Sequence, residues 1–383
     1  MTVTAPAGFE AAGVAAGIKA SGAADLALVV NRGPKQAAAA VFTSNRAKAN
    51  PILWSEQAIV DGTVAAVVLN SGGANCFTGP AGFQVVHRTA EAAGAVLGVS
   101  AGDVLVCSTG LIGEQLDGDV LEAGVRLAAS GLAADGGADA ARAIMTTDTR
   151  PKTVVVDGAG WRIGGIAKGA GMLAPGLATM LVVLTTDAEL PAEVLDAALR
   201  RATRVTFDRL DSDGCMSTND QVTLLASGAS GIHPDHEDFA DALTRACADL
   251  ARQLQDDAEG AGHAIAVEVQ GAVSEDEAVE VGRAVARSTL FKTAVFGNDP
   301  NWGRVLAAIG TTRAAFDPYE VDVTMNGVRI CHAGQPDRPR EEVDLTPRDT
   351  HVLIELHAGD ATATILTNDL THDYVHENSA YSS

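Results

Sequence analysis

Basic residues are scarce: 27 lysines and arginines stand against 49 aspartates and glutamates in 383 residues, a net charge of −22. A surface of that sign repels phosphate backbones and anionic head groups, so nucleic acid and membrane surfaces are not expected partners. Paired cysteines are missing as well. Cys76, Cys107, Cys215, Cys247 and Cys331 contain no CxxC, and an odd number cannot close a complete disulfide framework, so reduced thiols are expected. Long apolar runs are also absent. The run near the centre, Met180 to Leu184, is far short of the roughly 20 residues of a membrane-spanning helix. The opening MTVTAPAGFEAAGVAAGIKA has no basic region ahead of an apolar core and does not read as a secretory signal. These absences make a cytoplasmic location the expectation.

What is present is an alternation of short β-branched runs and longer helical patterns, over a length that suits two packed units or one large α/β body. Residues 26–30, 39–44, 64–69 and 104–109 read as strands, and 82–98 and 116–130 have amphipathic helical spacing. Further on, 192–203 and 239–255 read as helices, each followed by strand-like sequence, RVTF and then HAIAVEVQG. SEDEAVEVGRAVARSTL reads as a single helix capped by Ser274. EVDVTMNGVRI and HVLIELHAGDATATILT read as antiparallel hairpins around NG and GD turns. No repeat and no low-complexity linker separates the halves.

One junction carries more chemistry than the rest. KGAGMLAPGLATMLVVLTT (Lys168–Thr186) begins as a glycine-rich loop, passes Pro175, and becomes a strand. It is not a phosphate loop, because the lysine precedes the glycines and a strand follows. Local sequence fits a tight turn in which Thr179 is an ordinary first strand residue. Taken alone it favours that turn, but it also allows a scission point. A threonine hydroxyl is a weak nucleophile until a base takes its proton, and an amino-terminal threonine carries that base on its own nitrogen. Thr179 becomes amino-terminal if its hydroxyl attacks the Ala178 carbonyl and water then cuts the resulting ester.

Blocks along the chain decide between these readings. VFTSNRAKANPILWS, NSGGANCFTG, STGLIGEQL, IMTTDTRPK, AKGAGMLAPGLATMLVVLTTDA, MSTNDQV, DDAEGAGH, GNDPNWGR and HENSAYSS follow one another in an order that closely resembles the ornithine acetyltransferase family, also called glutamate N-acetyltransferases. The resemblance spans nearly the whole chain. It implies a layered α/β sandwich of the ArgJ/DmpA-like type, self-processed between Ala178 and Thr179 into an alpha chain, 1–178, and a beta chain, 179–383, that together form a heterotetramer.

The same resemblance implies roles for single residues. Thr179 is the nucleophile that accepts acetyl from N-acetylornithine and passes it to glutamate. Thr109 and Gly110 form the oxyanion hole. Thr146, Lys168, Thr179, Glu259, Asn378 and Ser383 bind substrate, which implies a docked carboxyl terminus. Thr147 stands beside Thr146, and the sequence does not choose between their hydroxyls. No cofactor is implied. Whether acetyl-CoA also charges Thr179 stays open, as does a place in arginine biosynthesis or in secondary metabolism. A self-processing amidase or aminopeptidase, with water as acceptor, is the alternative enzyme, and a passive amino-acid-binding protein the alternative outside catalysis. The close-set pairs His372/His376 and His233/His236 lack the third ligand of a zinc site, so no metal is expected.

Overall fold

The computed structural model describes residues 2–174 and 180–380. From the amino end the chain forms β1 (Phe9–Val14), β2 (Leu26–Asn31), β3 (Ala37–Phe42), α1 (Asn50–Ala58), β4 (Ala66–Asn70), α2 (Gly79–Leu97), β5 (Val104–Ser108), α3 (Gly118–Ser130) and α4 (Gly137–Ala143). It continues through β6 (Lys152–Asp157), β7 (Arg162–Lys168), β8 (Leu181–Thr186), α5 (Ala192–Val205), β9 (Gln221–Ala226) and α6 (His236–Asp256). The remainder contributes β10 (Ala264–Ala272), α7 (Glu275–Ala286), α8 (Thr289–Phe296), α9 (Trp302–Ile309), β11 (Asp322–Met325), β12 (Val328–His332), β13 (Gln335–Pro336), β14 (Asp349–Glu355), β15 (Ala361–Asn368) and α10 (His372–Ala380).

Among the described residues three sheets form, ordered β1-β2-β4-β5, β3-β9-β8-β7-β6 and β13-β12-β11-β14-β10-β15. The first two lie face to face. Ala27, Val29, Val67, Leu69 and Leu105 of one meet Ile166, Leu181, Val183 and Leu225 of the other in a shared core. Because side chains alternate across a strand, the neighbours Leu26, Leu28 and Val68 point the opposite way, into α2 and α3 through Val86, Ala90, Leu121 and Val125. On the far side Val182, Leu184 and Leu224 pack on Leu199, Leu243 and Leu250 of α5 and α6. The result is a helix–sheet–sheet–helix sandwich, the layered α/β architecture expected. Double coverage explains why β2, β4, β5, β8 and β9 are buried at every position, and why these strands read as apolar runs without a polar face.

The six-stranded sheet builds its own core with α7, α8 and α9 and is tied to the sandwich by buried polar groups. Gln255 donates to the carbonyls of Ile265 and Thr367 at 2.9 and 2.8 Å. Lys292 donates to the Ser212 carbonyl, and burial lowers its pKa to about 8. The expected fragments 1–178 and 179–383 share the five-stranded sheet: β8 pairs antiparallel with β7 and parallel with β9, so strands on both sides of the junction are hydrogen-bonded neighbours.

Three local expectations are corrected. RVTF is not a strand: Arg204 and Val205 complete α5, and Phe207 opens a short 3-10 turn. Four residues are too few for periodicity to separate strand from helix end. The helix expected over 274–290 is interrupted. Ser274 caps α7 as anticipated, but Ser288 has extended backbone and its hydroxyl accepts from the Phe291 N–H at 3.2 Å, starting α8. The NG turn does join β11 to β12, whereas β14 and β15 are not a hairpin. Both pair with β10, one parallel and one antiparallel. The GD connection passes over the end of β10, with the Ala358 and Gly359 N–H groups both donating to the Gly271 carbonyl at 2.7 and 2.8 Å.

Candidate active site

β4 and β5 run parallel and finish side by side at Asn70 and Ser108. Thr109 follows directly and is locked through its backbone: its N–H donates to Asn70 O at 3.0 Å and its carbonyl accepts from Gly73 N at 2.9 Å. Behind it, Ser108 Oγ donates to Asn70 Oδ1 at 2.5 Å, and Asn219 Nδ2 donates to the carbonyls of Ala74 and Ser108 at 2.6 and 2.9 Å. The Thr109 side chain is buried, and its Oγ1 accepts from Lys168 Nζ at 3.2 Å. A hydroxyl that accepts retains its own proton for donation. Gly110 has φ +127, and a Cβ there would sit 2.7 Å from Gly73 N, so this position takes glycine alone. No described residue accepts from the Gly110 N–H. A hydroxyl and an amide from adjacent residues are thus fixed in place with donor capacity to spare.

Lys168 is the last residue of β7 and its side chain is fully buried. Burial lowers its pKa, and the facing Asp148 carboxylate opposes that shift. Asp148 is a hub. Its Oδ1 accepts from Gly169 N at 2.7 Å and Lys152 Nζ at 2.6 Å, and its Oδ2 from Thr146 N at 3.0 Å. Burial pushes the Asp148 carboxyl up, but Lys168 and Lys152 outweigh it and hold the group below its usual range. Lys152, itself inaccessible, also donates to Asp257 Oδ2 at 2.5 Å, and that carboxylate accepts from Thr149 N at 3.0 Å.

Glu259 follows α6, its N–H held by the Ala170 carbonyl at 3.0 Å. Its two carboxylate oxygens accept from Thr147 Oγ1 at 2.7 Å and from Asn378 Nδ2 on α10 at 3.0 Å. Gly171 lies against it, since a Cβ there would come within 2.5 Å of Glu259 Oε2. Thr147 is therefore the threonine whose hydroxyl faces Glu259, while Thr146 contributes its backbone N–H to Asp148. Beside Glu259 opens a cleft of about 1080 Å³ whose lining includes Thr147, Arg150, Arg348, His376 and Glu377. Ala178, Thr179 and Ser383 lie outside the described residues.

On the far side of the junction, the N–H of Met180 donates to Asp220 Oδ1 at 3.0 Å. Asp220 is inaccessible to solvent, and burial pushes its carboxyl well above the usual range, with the Lys168 ammonium opposing. The structure thus gathers Thr109, Gly110, Lys168, Thr147 and Glu259 around the loop leading to the junction, with Asn378 reaching in from the terminal helix. Asp148, Lys152, Asp220 and Asp257 were not singled out by the sequence. Each sits inside or beside a block already quoted, yet among 49 acidic and 27 basic residues only three-dimensional burial distinguishes them. Among the described residues no group of three or more His, Cys, Asp or Glu side chains could hold a metal ion. His233, His236, His372 and His376 are all exposed.

The model of the ArgJ family matches residues 10–383. A protein named arginine biosynthesis bifunctional protein ArgJ, from Streptomyces coelicolor, is 63% identical over 383 residues, covering 100% of both chains. One of the same name from Streptomyces avermitilis is 62% identical, again over 100% of both. A solved ornithine acetyltransferase from Mycobacterium tuberculosis, complexed with ornithine, is 55% identical at a TM-score of 0.45, over 47% of this chain and 96% of that one.

Proposed function

The chain belongs to the ArgJ family, and from that premise we propose that it moves acetyl from N-acetylornithine to glutamate in arginine biosynthesis, through an acetyl ester on Thr179. The observation that carries this reading is the convergence of Lys168 Nζ on Thr109 Oγ1 at 3.2 Å, beside a Gly110 N–H without an acceptor among the described residues. Cleavage after Ala178 frees the Thr179 amine, which serves as base for its own hydroxyl. The hydroxyl attacks the acetyl carbonyl, and the oxygen that becomes negative is met by Thr109 Oγ1 and Gly110 N–H. Preorganised donors of this kind stabilise the charge where it develops. Ornithine leaves, glutamate enters the same site, and its amine takes the acetyl group.

The rest of the site sorts by charge. Lys168 suits a substrate carboxylate, and Glu259 suits a substrate ammonium. Thr146 or Thr147, Asn378 and Ser383 complete the contacts. Within this reading the processed chains 1–178 and 179–383 stay joined through β7, β8 and β9 and pair into a heterotetramer. The relatives' name, bifunctional, supports a second activity, for which acetylation of glutamate from acetyl-CoA is the reading. The fold and family suit a cytoplasmic biosynthetic enzyme, and no helix among the described residues is long and apolar enough to cross a membrane.

Incubating the purified protein with N-acetylornithine, with and without glutamate, tests the acceptor. Ornithine release is expected to depend on glutamate, with N-acetylglutamate formed in equal amount; release indifferent to glutamate points instead to an amidase. Thr109→Val removes one oxyanion donor and keeps the side-chain shape. Its expected effect is a fall in kcat of about 10²–10³-fold with a much smaller change in KM, read from initial rates on the cleaved enzyme.

A further inference from the structure

In a chain of 27 basic and 49 acidic residues, four arginines line one pocket of about 440 Å³, with Asp208 and Asp276 beside them. Arg204 belongs to the last turn of α5, and Arg209 to the 3-10 turn that follows it. Arg283 belongs to the last turn of α7, and Arg287 caps that helix. The pocket therefore lies at the seam where a helical layer of the sandwich meets the helices of the six-stranded sheet. Thr109, Gly110, Lys168 and Glu259 do not line it, so it is separate from the site described above.

The chain's own acids satisfy part of this cluster. Glu275 accepts from Arg204 Nη2 at 2.8 Å and from Arg209 Nη2 at 2.5 Å, and Asp211 Oδ2 accepts from Arg287 Nε at 2.7 Å. Arg209 Nε donates to the Arg204 carbonyl at 3.0 Å and Arg283 Nη2 to the Asp208 carbonyl at 2.9 Å. Asp276, whose side chain is 91% exposed, reaches only as far as Arg204, at 3.5 Å. Two interior donors are left over. Arg209 is 7% exposed, yet its Nη1 has no hydrogen-bond partner among the described residues, and neither has the buried Nε of Arg283. Asp211 Oδ1 is unpaired as well, but Asp211 does not line the pocket. Burial lowers the Arg283 pKa; the Asp211 and Asp208 carboxylates oppose that shift, and the Arg287 and Arg209 cations add to it. Guanidinium N–H groups kept from water without an acceptor cost stability, and an anion drawn into the pocket removes that cost.

We propose that this pocket binds a phosphate-class oxyanion, which bridges Arg209 of the sandwich and Arg283 of α7. The chemistry favours phosphate over another carboxylate. A carboxylate offers two oxygens in one plane and suits the fork of a single guanidinium. The spare donors here belong to two arginines on different elements, and a tetrahedral anion accepts from several directions at once. Arginine is also the side chain whose weak hydration and fixed donors best match phosphate. The volume falls within the roughly 300–1,000 Å³ of small-molecule pockets, so free phosphate and a phosphoryl group carried on a small metabolite share the same recognition. Occupancy pins the two helical layers together and so stabilises the folded chain. None of this depends on the acetyl-transfer reading.

The test titrates the purified full-length protein with inorganic phosphate and, separately, with glycerol 3-phosphate, at ionic strength held constant with chloride. Calorimetry reads the affinity and thermal melting the stabilisation. The parent is expected to bind saturably and to gain at least about 2 °C in Tm at saturation. Tighter binding of phosphate identifies the free ion as the ligand, and tighter binding of the ester a phosphoryl group on a larger molecule; both support the site. Arg283→Met, at parental circular dichroism, is expected to bind at least about tenfold more weakly. No saturable response to either ligand overturns the proposal. So does an equal gain from sodium acetate at the same ionic strength, or a response that Arg283→Met keeps in full, which places the anion elsewhere. Should Arg283→Met fail to fold, Arg204→Gln decides, since that side chain is 58% exposed and its loss is mild: weakened binding supports the proposal, and unchanged binding overturns it.

Discussion

Thr179→Ala is expected to leave a single uncut chain and to abolish acetyl transfer, with a loss of at least about 10⁴-fold in kcat/KM. In the proposed mechanism both consequences come from one oxygen. Without it nothing attacks Ala178, so the alpha and beta chains are not separated, and nothing holds the acetyl group between donor and acceptor. The fold should survive. The strand that follows is anchored independently of residue 179, through the Met180 N–H on Asp220 and through β8 paired on both edges. The variant should therefore melt close to the parent while failing in both chemical readouts. Intact mass is the direct measurement: the parent is expected to give fragments beginning at Met1 and Thr179, and the variant one species. Thr179→Ser retains the hydroxyl and should retain both cleavage and transfer at reduced rates. An alanine variant that is cut at this bond, or that still turns over, removes Thr179 from the mechanism.

The sequence reveals much of the sandwich because its strands are buried on both faces and so appear as uninterrupted apolar runs, as in LALVV and LVVLTT. It reveals less where pairing is non-local. Nothing in HVLIELHAGDATATILT discloses that β10, far upstream, lies between β14 and β15, so adjacent strands joined by GD look like a hairpin. β7, RIGGIAK, carries two glycines and an arginine, a pattern that weakens any strand reading, yet tertiary packing makes it a strand and places Lys168 at its end. In the site, Thr109 is legible as the residue closing an apolar strand. The choice between Thr146 and Thr147 is not, because adjacent side chains diverge by backbone geometry alone, and it is Thr147 that meets Glu259. Resemblance to a family supplies the residues proposed for the acetyl chemistry. It was silent on Asp148, Lys152, Asp220 and Asp257, whose significance comes from being charged and buried together.

That buried cluster carries the largest expected effect on stability. Lys152→Met is expected to destabilise the protein by about 3–5 kcal/mol, the cost of leaving buried carboxylates without their cation. Lys152 is inaccessible and bridges Asp148 and Asp257 at 2.6 and 2.5 Å, while Asp148 in turn fixes Thr146 N and Gly169 N. The damage should reach the site, raising KM for N-acetylornithine, because Lys168 immediately precedes Gly169. The pH dependence separates charge loss from lost packing. The depressed pKa of Asp148 means its carboxylate contributes stability above the unfolded value of about 4, a contribution lost as pH falls through the lower folded value. Removing Lys152 weakens one of the two cations responsible, so the variant has less of this contribution to lose. The stability gap between parent and variant should therefore narrow as the solution is acidified below about pH 4. Urea unfolding at matched protein concentration, followed from neutral to acid pH, measures it. A gap that is constant with pH means that methionine fails by shape rather than by charge.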